Sequence, residues 1–105
     1  MKTGVELITD ERARQIAVEG WTPEHDDKND AGEMCGAATA YILTGHGLGT
    51  KCRTFDQAVR ECFGSWPKTW LIKWCKPSED PIRNLVKAGA LIAAEIDRLQ
   101  RQVTP

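Results

Sequence analysis

The sequence predicts an all-α protein, a small helical bundle with three main helices, one or two short helices and irregular connections. Three observations carry that reading. Capping signals stand before amphipathic stretches at Thr3, Asp30, Thr54 and Asp80. The last quarter of the chain repeats apolar residues at spacings of three and four over five turns. No segment alternates polar and apolar residues long enough to form a strand.

Thr3-Gly4-Val5-Glu6 has the form of a capping box and opens the first helix. Val5, Ile8, Ala13, Ile16 and Ala17 make its modest apolar face, Gly20 stops it, and Trp21-Thr22-Pro23 leads the chain away. Glu24 to Asp30 is almost wholly charged or polar and reads as a loop. Asp30 caps a second helix running to about Thr44, with Gly45 after it. Its core candidates, Met34, Cys35, Ala37, Ala38, Tyr41 and Ile42, are mostly small and suit close approach of another helix. The glycines at 45, 47 and 49 mark a connection.

Thr54-Phe55-Asp56-Gln57 repeats the capping box and opens a short helix to Cys62 or Phe63, ended by Gly64. Pro67 suits the first turn of another, which would set Trp66, Trp70 and Trp74 on one face. Asp80-Pro81 starts the longest helix, to about Gln102, with Ile82, Leu85, Val86, Gly89, Ile92, Ala93, Ile96 and Leu99 as its core stripe. Leu91 lies nearly opposite that stripe and points to a second contact, such as one between subunits of a homo-oligomer.

The chain has 105 residues, the size of one domain covering 1–105. Fourteen basic and fifteen acidic residues leave a net charge of -1, so no global field draws the protein to duplex nucleic acid. No apolar run approaches bilayer length, and Met1 to Glu6 lacks a signal-peptide pattern, so the expectation is a cytoplasmic protein without a membrane partner. The four cysteines, Cys35, Cys52, Cys62 and Cys75, are separated by 16, 9 and 12 residues, unlike the close pairs of structural zinc sites. In a reducing compartment they read as free thiols.

Two segments concentrate chemistry. Glu24, His25, Asp26, Asp27, Asp30 and Glu33 gather five carboxylates and an imidazole within ten residues. His25, Asp26, Asp27 and Glu33, joined by Glu95, are candidate ligands for Mg²⁺ or Mn²⁺, which favour carboxylate oxygens. An EF-hand counted from Asp27 fails, because its twelfth position is Ala38. The plainer alternative is a solvated acidic loop, with Asp30 and Glu33 complementing a helix N-terminus. Trp66, Lys68, Trp70, Lys73 and Trp74 form the binding candidate, since indoles beside lysines stack bases or grip an acidic partner. Alternatively the indoles cap the core, with Trp74 the most exposed. The segment from Gly45 to Lys51 lacks the Walker spacing, and His46 lies near no nucleophile in a recognised pattern.

The blocks Glu19-Gly20-Trp21-Thr22-Pro23-Glu24-His25-Asp26-Asp27 and Leu85-Val86-Lys87-Ala88-Gly89-Ala90-Leu91-Ile92-Ala93-Ala94-Glu95-Ile96-Asp97-Arg98-Leu99, with Glu11 to Ile16 and Gly32-Glu33, resemble a group of small proteins of tailed phages and prophages of proteobacteria. That resemblance implies a phage accessory protein in the bacterial cytoplasm and implies no activity. The functional expectation is a binder of a host protein or a nucleotide, inhibiting a host defence or metabolic factor. The alternative is a metal-dependent nucleoside triphosphate pyrophosphohydrolase of the all-α, MazG-like kind. It requires Asp26 or Asp27, Glu33 and Glu95 to converge in space.

Overall fold

A computed structural model describes residues 1–45 and 54–103. His46, Lys51, Cys52 and most of the glycine-rich connection lie outside the described residues. Among those described there are five α-helices and no strand: α1 (Gly4–Ala17), α2 (Pro23–Asp26), α3 (Glu33–Gly45), α4 (Phe55–Ser65) and α5 (Pro81–Val103), with one 3₁₀ turn at Ile72–Trp74. No helix among them is long and apolar enough to cross a membrane.

Local chemistry places the helix ends. Thr3 and Glu6 close a reciprocal capping box, and Thr54 and Gln57 close a second at the start of α4. After α1, Gly20 takes a φ of 75°, and the Trp21 N–H turns back to the Gln15 carbonyl at 3.0 Å. Thr22 accepts from the His25 N–H, and with Pro23 in the first turn it opens α2 where the charged run reads as a loop. α3 starts at Glu33, after Gly32 at a φ of 82°, and the Glu33 carboxylate accepts from the Ala31 N–H at 2.7 Å. α4 continues past Gly64 to Ser65.

α3 is the central helix, packed against α4 and α5, and α1 lies against α5. α3 and α5 run antiparallel, since Cys35 meets Glu95 near one end and Thr44 meets Asn84 near the other. Small side chains are buried together in the core, Ala37, Ala38 and Ala40 on α3 and Ala88 and Ala94 on α5, with the larger Met34 and Leu91 fully buried among them. Alanine seams let two helices approach closely and gain dispersion contacts over their whole length.

This packing turns two predicted faces outward. On α5, Leu91 is core, while Ile82, Leu85, Ile92, Ile96 and Leu99 are 43 to 61% exposed. On α1, Val5 and Ile16 are exposed, and the buried side chains are Glu11 and Gln15. Of the α3 candidates, Cys35 and Ile42 also face outward. The Trp66 to Trp74 segment is irregular apart from its 3₁₀ turn, so its indoles meet by folding of a loop and not by helical spacing.

Asn84 is fully buried and joins three elements. Its amide donates to the carbonyls of Thr44 and Ser78 at 3.1 and 2.7 Å, and its carbonyl accepts from the Ser78 N–H at 2.7 Å. Asn84→Ala strands those backbone groups and is expected to cost about 2 kcal/mol in urea unfolding. A loss below about 0.5 kcal/mol, the scale of ordinary surface changes, would show that the bridge is not structural.

Candidate ligand pocket

The polar faces of α1 and α5 are not wasted inside the fold, because they enclose a cavity of about 190 Å³ roofed by aromatic rings. α1 contributes Glu11, Arg14 and Gln15; Trp21 and His25 follow from the turn into α2. Tyr41 comes from α3, Trp74 and Lys76 from the segment around the 3₁₀ turn, and Lys87 and Leu91 from α5.

The aromatic wall is continuous. Trp21 stacks on His25 with rings 2° apart in tilt and centroids 6.2 Å apart, and it leans on Trp70 at 5.9 Å. Trp70 meets Trp66 at 5.5 Å and Trp74 at 6.2 Å, both edge-on, and Trp66 meets Tyr41 edge-on at 5.7 Å. Such tilted pairs suit the quadrupoles of the rings. The buried ring N–H groups are satisfied: Trp66 donates to the Leu71 carbonyl at 3.2 Å and Trp70 to Asn29 at 3.0 Å. Tyr41 accepts from the Lys76 N–H at 3.1 Å and donates to the Trp74 carbonyl at 3.4 Å, which holds that edge of the wall. Burial pushes the Tyr41 hydroxyl up to about 12.

The polar floor is built from charge. Burial alone would raise the Glu11 carboxyl, but hydrogen bonds from Arg14 (2.9 Å) and Arg83 (2.7 Å) outweigh it and hold the group below its usual range. Arg14 also reaches Glu19 at 3.0 Å, so it is occupied twice over. Lys87 donates to the Lys76 carbonyl at 2.7 Å and stands over the Tyr41 ring, 5.3 Å from its centroid. Burial, then the neighbouring Arg83, lower its affinity for a proton. Gln15 turns its amide nitrogen toward Glu11 at 3.5 Å, and its Oε1 is buried without a hydrogen-bond partner. A buried acceptor left without a partner costs about 1–3 kcal/mol.

The predicted metal ligands do not come together as one group. Asp26 is buried and paired with Arg12, which also holds the Trp21 carbonyl. Asp27 pairs with Arg101 of α5 at 2.7 Å, Glu95 pairs with Arg98 one turn away, and Glu33 caps the Ala31 N–H. His25 touches Asp26 at 3.4 Å and stacks on Trp21. Among the described residues no three His, Cys, Asp or Glu side chains form a group that could hold a metal. Arginines from α1 and α5 hold Asp26, Asp27 and Glu95 in three separate ion pairs.

Of the predicted binding residues, Trp74 lines the cavity and is 40% exposed, while Trp66 and Trp70 stand behind it as support. Lys68 borders a shallow groove with Pro67 and Gly36, away from the cavity, and Lys73 is exposed outside it. Sequence reasoning missed Glu11, Gln15, Tyr41 and Lys87. A signal for the first two was present: they follow Ile8 by three and seven residues, on one helical face. Ile8 lies against Gly89 of α5, so that face points inward. Against protein-family models, curated proteins and solved structures, the chain finds no match.

Proposed function

We propose that this is a small phage-encoded binding protein that holds a nucleotide-type ligand, a planar heterocycle carrying an anionic group, in the cavity beside Trp21 and Trp74. The single observation that carries the reading is a cavity lined by Trp21, Tyr41 and Trp74 with Lys76 and Lys87 beside them. A heterocyclic ring in that cavity lies against indole faces, which stack bases with little regard to sequence. Arg14 is taken by two carboxylates, whereas neither Lys76 nor Lys87 is ion-paired among the described residues. Those two ammonium groups are the cations left for the anionic part of the ligand. The cavity accommodates a ring and its first substituent but is smaller than the roughly 300 Å³ at which drug-sized sites begin. By sequestering a nucleotide signal, such a protein inhibits the host defence or metabolic system that reads it.

Titration of the protein with mononucleotides and cyclic nucleotides, followed by tryptophan fluorescence and calorimetry, tests the reading. The expected result is saturable quenching, weakened about 10- to 100-fold in Lys87→Ala, the worth of one charge-assisted hydrogen bond. Because the Lys87 ammonium loses its proton more readily than a free lysine, affinity should also fall as pH rises through that lowered range. Absence of saturable binding across the panel, with no nucleotide extracted from the protein purified from its host, would refute it.

A further inference from the structure

α5 has two faces with opposite character. Asn84, Ala88, Leu91, Ala94 and Arg98 point into the molecule, while Ile82, Leu85, Ile92, Ile96 and Leu99 stand on the other side, each 43 to 61% exposed. With Gly89 at the missing step, the outward residues repeat at spacings of three and four throughout, the two-in-seven pattern of a coiled-coil seam. The seam is apolar through its middle, because Ile8 of α1 covers Gly89; a Cβ there would come within 2.5 Å of the Ile8 Cδ1. Ile42, on the neighbouring antiparallel α3, is exposed as well. Glu95, beside the seam, is engaged by Arg98.

We infer that this seam is the interface with a second copy of the chain, whose α5 lies antiparallel on the first to form a two-fold dimer. The seam is self-complementary in that direction. A two-fold axis midway between residues 90 and 91 sets Ile82 against the other copy's Leu99, Leu85 against its Ile96, and the Gly89 step against its Ile92. It also sets the two helix dipoles in opposition. A two-fold contact needs one patch that fits itself, and a repeat of large aliphatic side chains along a straight helix is such a patch.

The area agrees. Residues 82 to 99 extend about 27 Å along the helix axis. Half-exposed isoleucines and leucines over that length leave several hundred Å² of apolar surface per copy, at the upper end of what monomers carry, about 300–600 Å². Pairing two copies buries both patches, which reaches the roughly 1,000 Å² at which specific interfaces begin.

Sedimentation equilibrium from micromolar to millimolar protein, with circular dichroism on the same samples, decides the matter. The expected species has twice the 11.7 kDa chain mass. Ile96→Glu should weaken association at least a hundredfold with helical signal unchanged, and the double change L85K/I96E should restore it, because the antiparallel pairing brings the two new charges together. A monomer at every concentration overturns the inference. So does a dimer that Ile96→Glu leaves intact, or loss of helix in that variant, which would place Ile96 in the core.

Discussion

Trp66→Ala is expected to remove about 4 kcal/mol of folding stability, the upper range for deleting a buried aromatic side chain. Trp66 is 5% exposed, meets Tyr41 and Trp70 edge-on, and donates its ring N–H to the Leu71 carbonyl. Its removal opens a cavity between α3, α4 and the Trp segment and takes away the support behind Trp74. Domains of this size are held by about 5–15 kcal/mol in all, so the variant should be partly unfolded at physiological temperature. Trp74→Ala is the matched control. Its indole is 40% exposed and lines the ligand cavity, so stability should change by less than about 1 kcal/mol while nucleotide-induced quenching is lost. Urea midpoints of the two variants check the contrast, and similar losses in both would mean that Trp66 is not the keystone of the aromatic cluster.

Glu11→Ala is expected to cost about 3 kcal/mol. Removing a buried carboxylate bonded by two arginines and a glutamine takes the partner from Arg83 and from the Gln15 amide and leaves Arg14 with Glu19 alone. Both arginines are more than a third exposed, so water recovers part of the loss and the figure lies at the low end for buried ion pairs. The same residue predicts the acid limb of the stability profile. The Glu11 carboxyl titrates lower in the folded chain than in the unfolded one, so the unfolded state binds the extra proton first. Its contribution is therefore complete above the usual glutamate range and disappears as pH falls through the depressed value. Tyr41 acts at the other extreme. Its hydroxyl is held protonated up to about 12 against an ordinary 10.0, so stability should drop as pH rises between those values. Thermal melts across pH should show both limbs, with Glu11→Gln flattening the acid one and Tyr41→Phe the alkaline one; an unchanged acid limb in Glu11→Gln would show that other carboxylates control it.

The thiols add a packing detail to the same region. Cys62 of α4 and Cys75, just after the 3₁₀ turn, lie with sulfur atoms 3.5 Å apart in the core. Hydrogen bonding to Cys75 and then burial push the Cys62 thiol up, while the same contact favours the thiolate at Cys75. Spacing in the sequence gave no reason to pair these two residues, since the approach is made by the loop that carries the indoles across α4.

What the sequence determined by itself was local. Thr3 with Glu6 and Thr54 with Gln57 saturate their own helix ends, Gly20 supplies a left-handed turn, and the three-four spacing from Ile82 onward makes α5 a helix in any surroundings. The tertiary structure alone decided which way the helices face. Amphipathic patterning is dominated by the largest side chains, and on α5 those are the isoleucines and leucines that remain exposed. Packing answers to fit: alanines at 88 and 94 let α3 approach closely enough to bury a continuous core, which bulky residues on the same face would forbid. Once that face turned inward, Glu11 and Gln15 of α1 were carried inside with it. Arginines from two other turns met Glu11, and the cavity formed between charges that the linear sequence presents as solvent-facing. Long-range ion pairs likewise engage the acidic cluster, Asp26 with Arg12 and Asp27 with Arg101, partners that the linear sequence does not indicate.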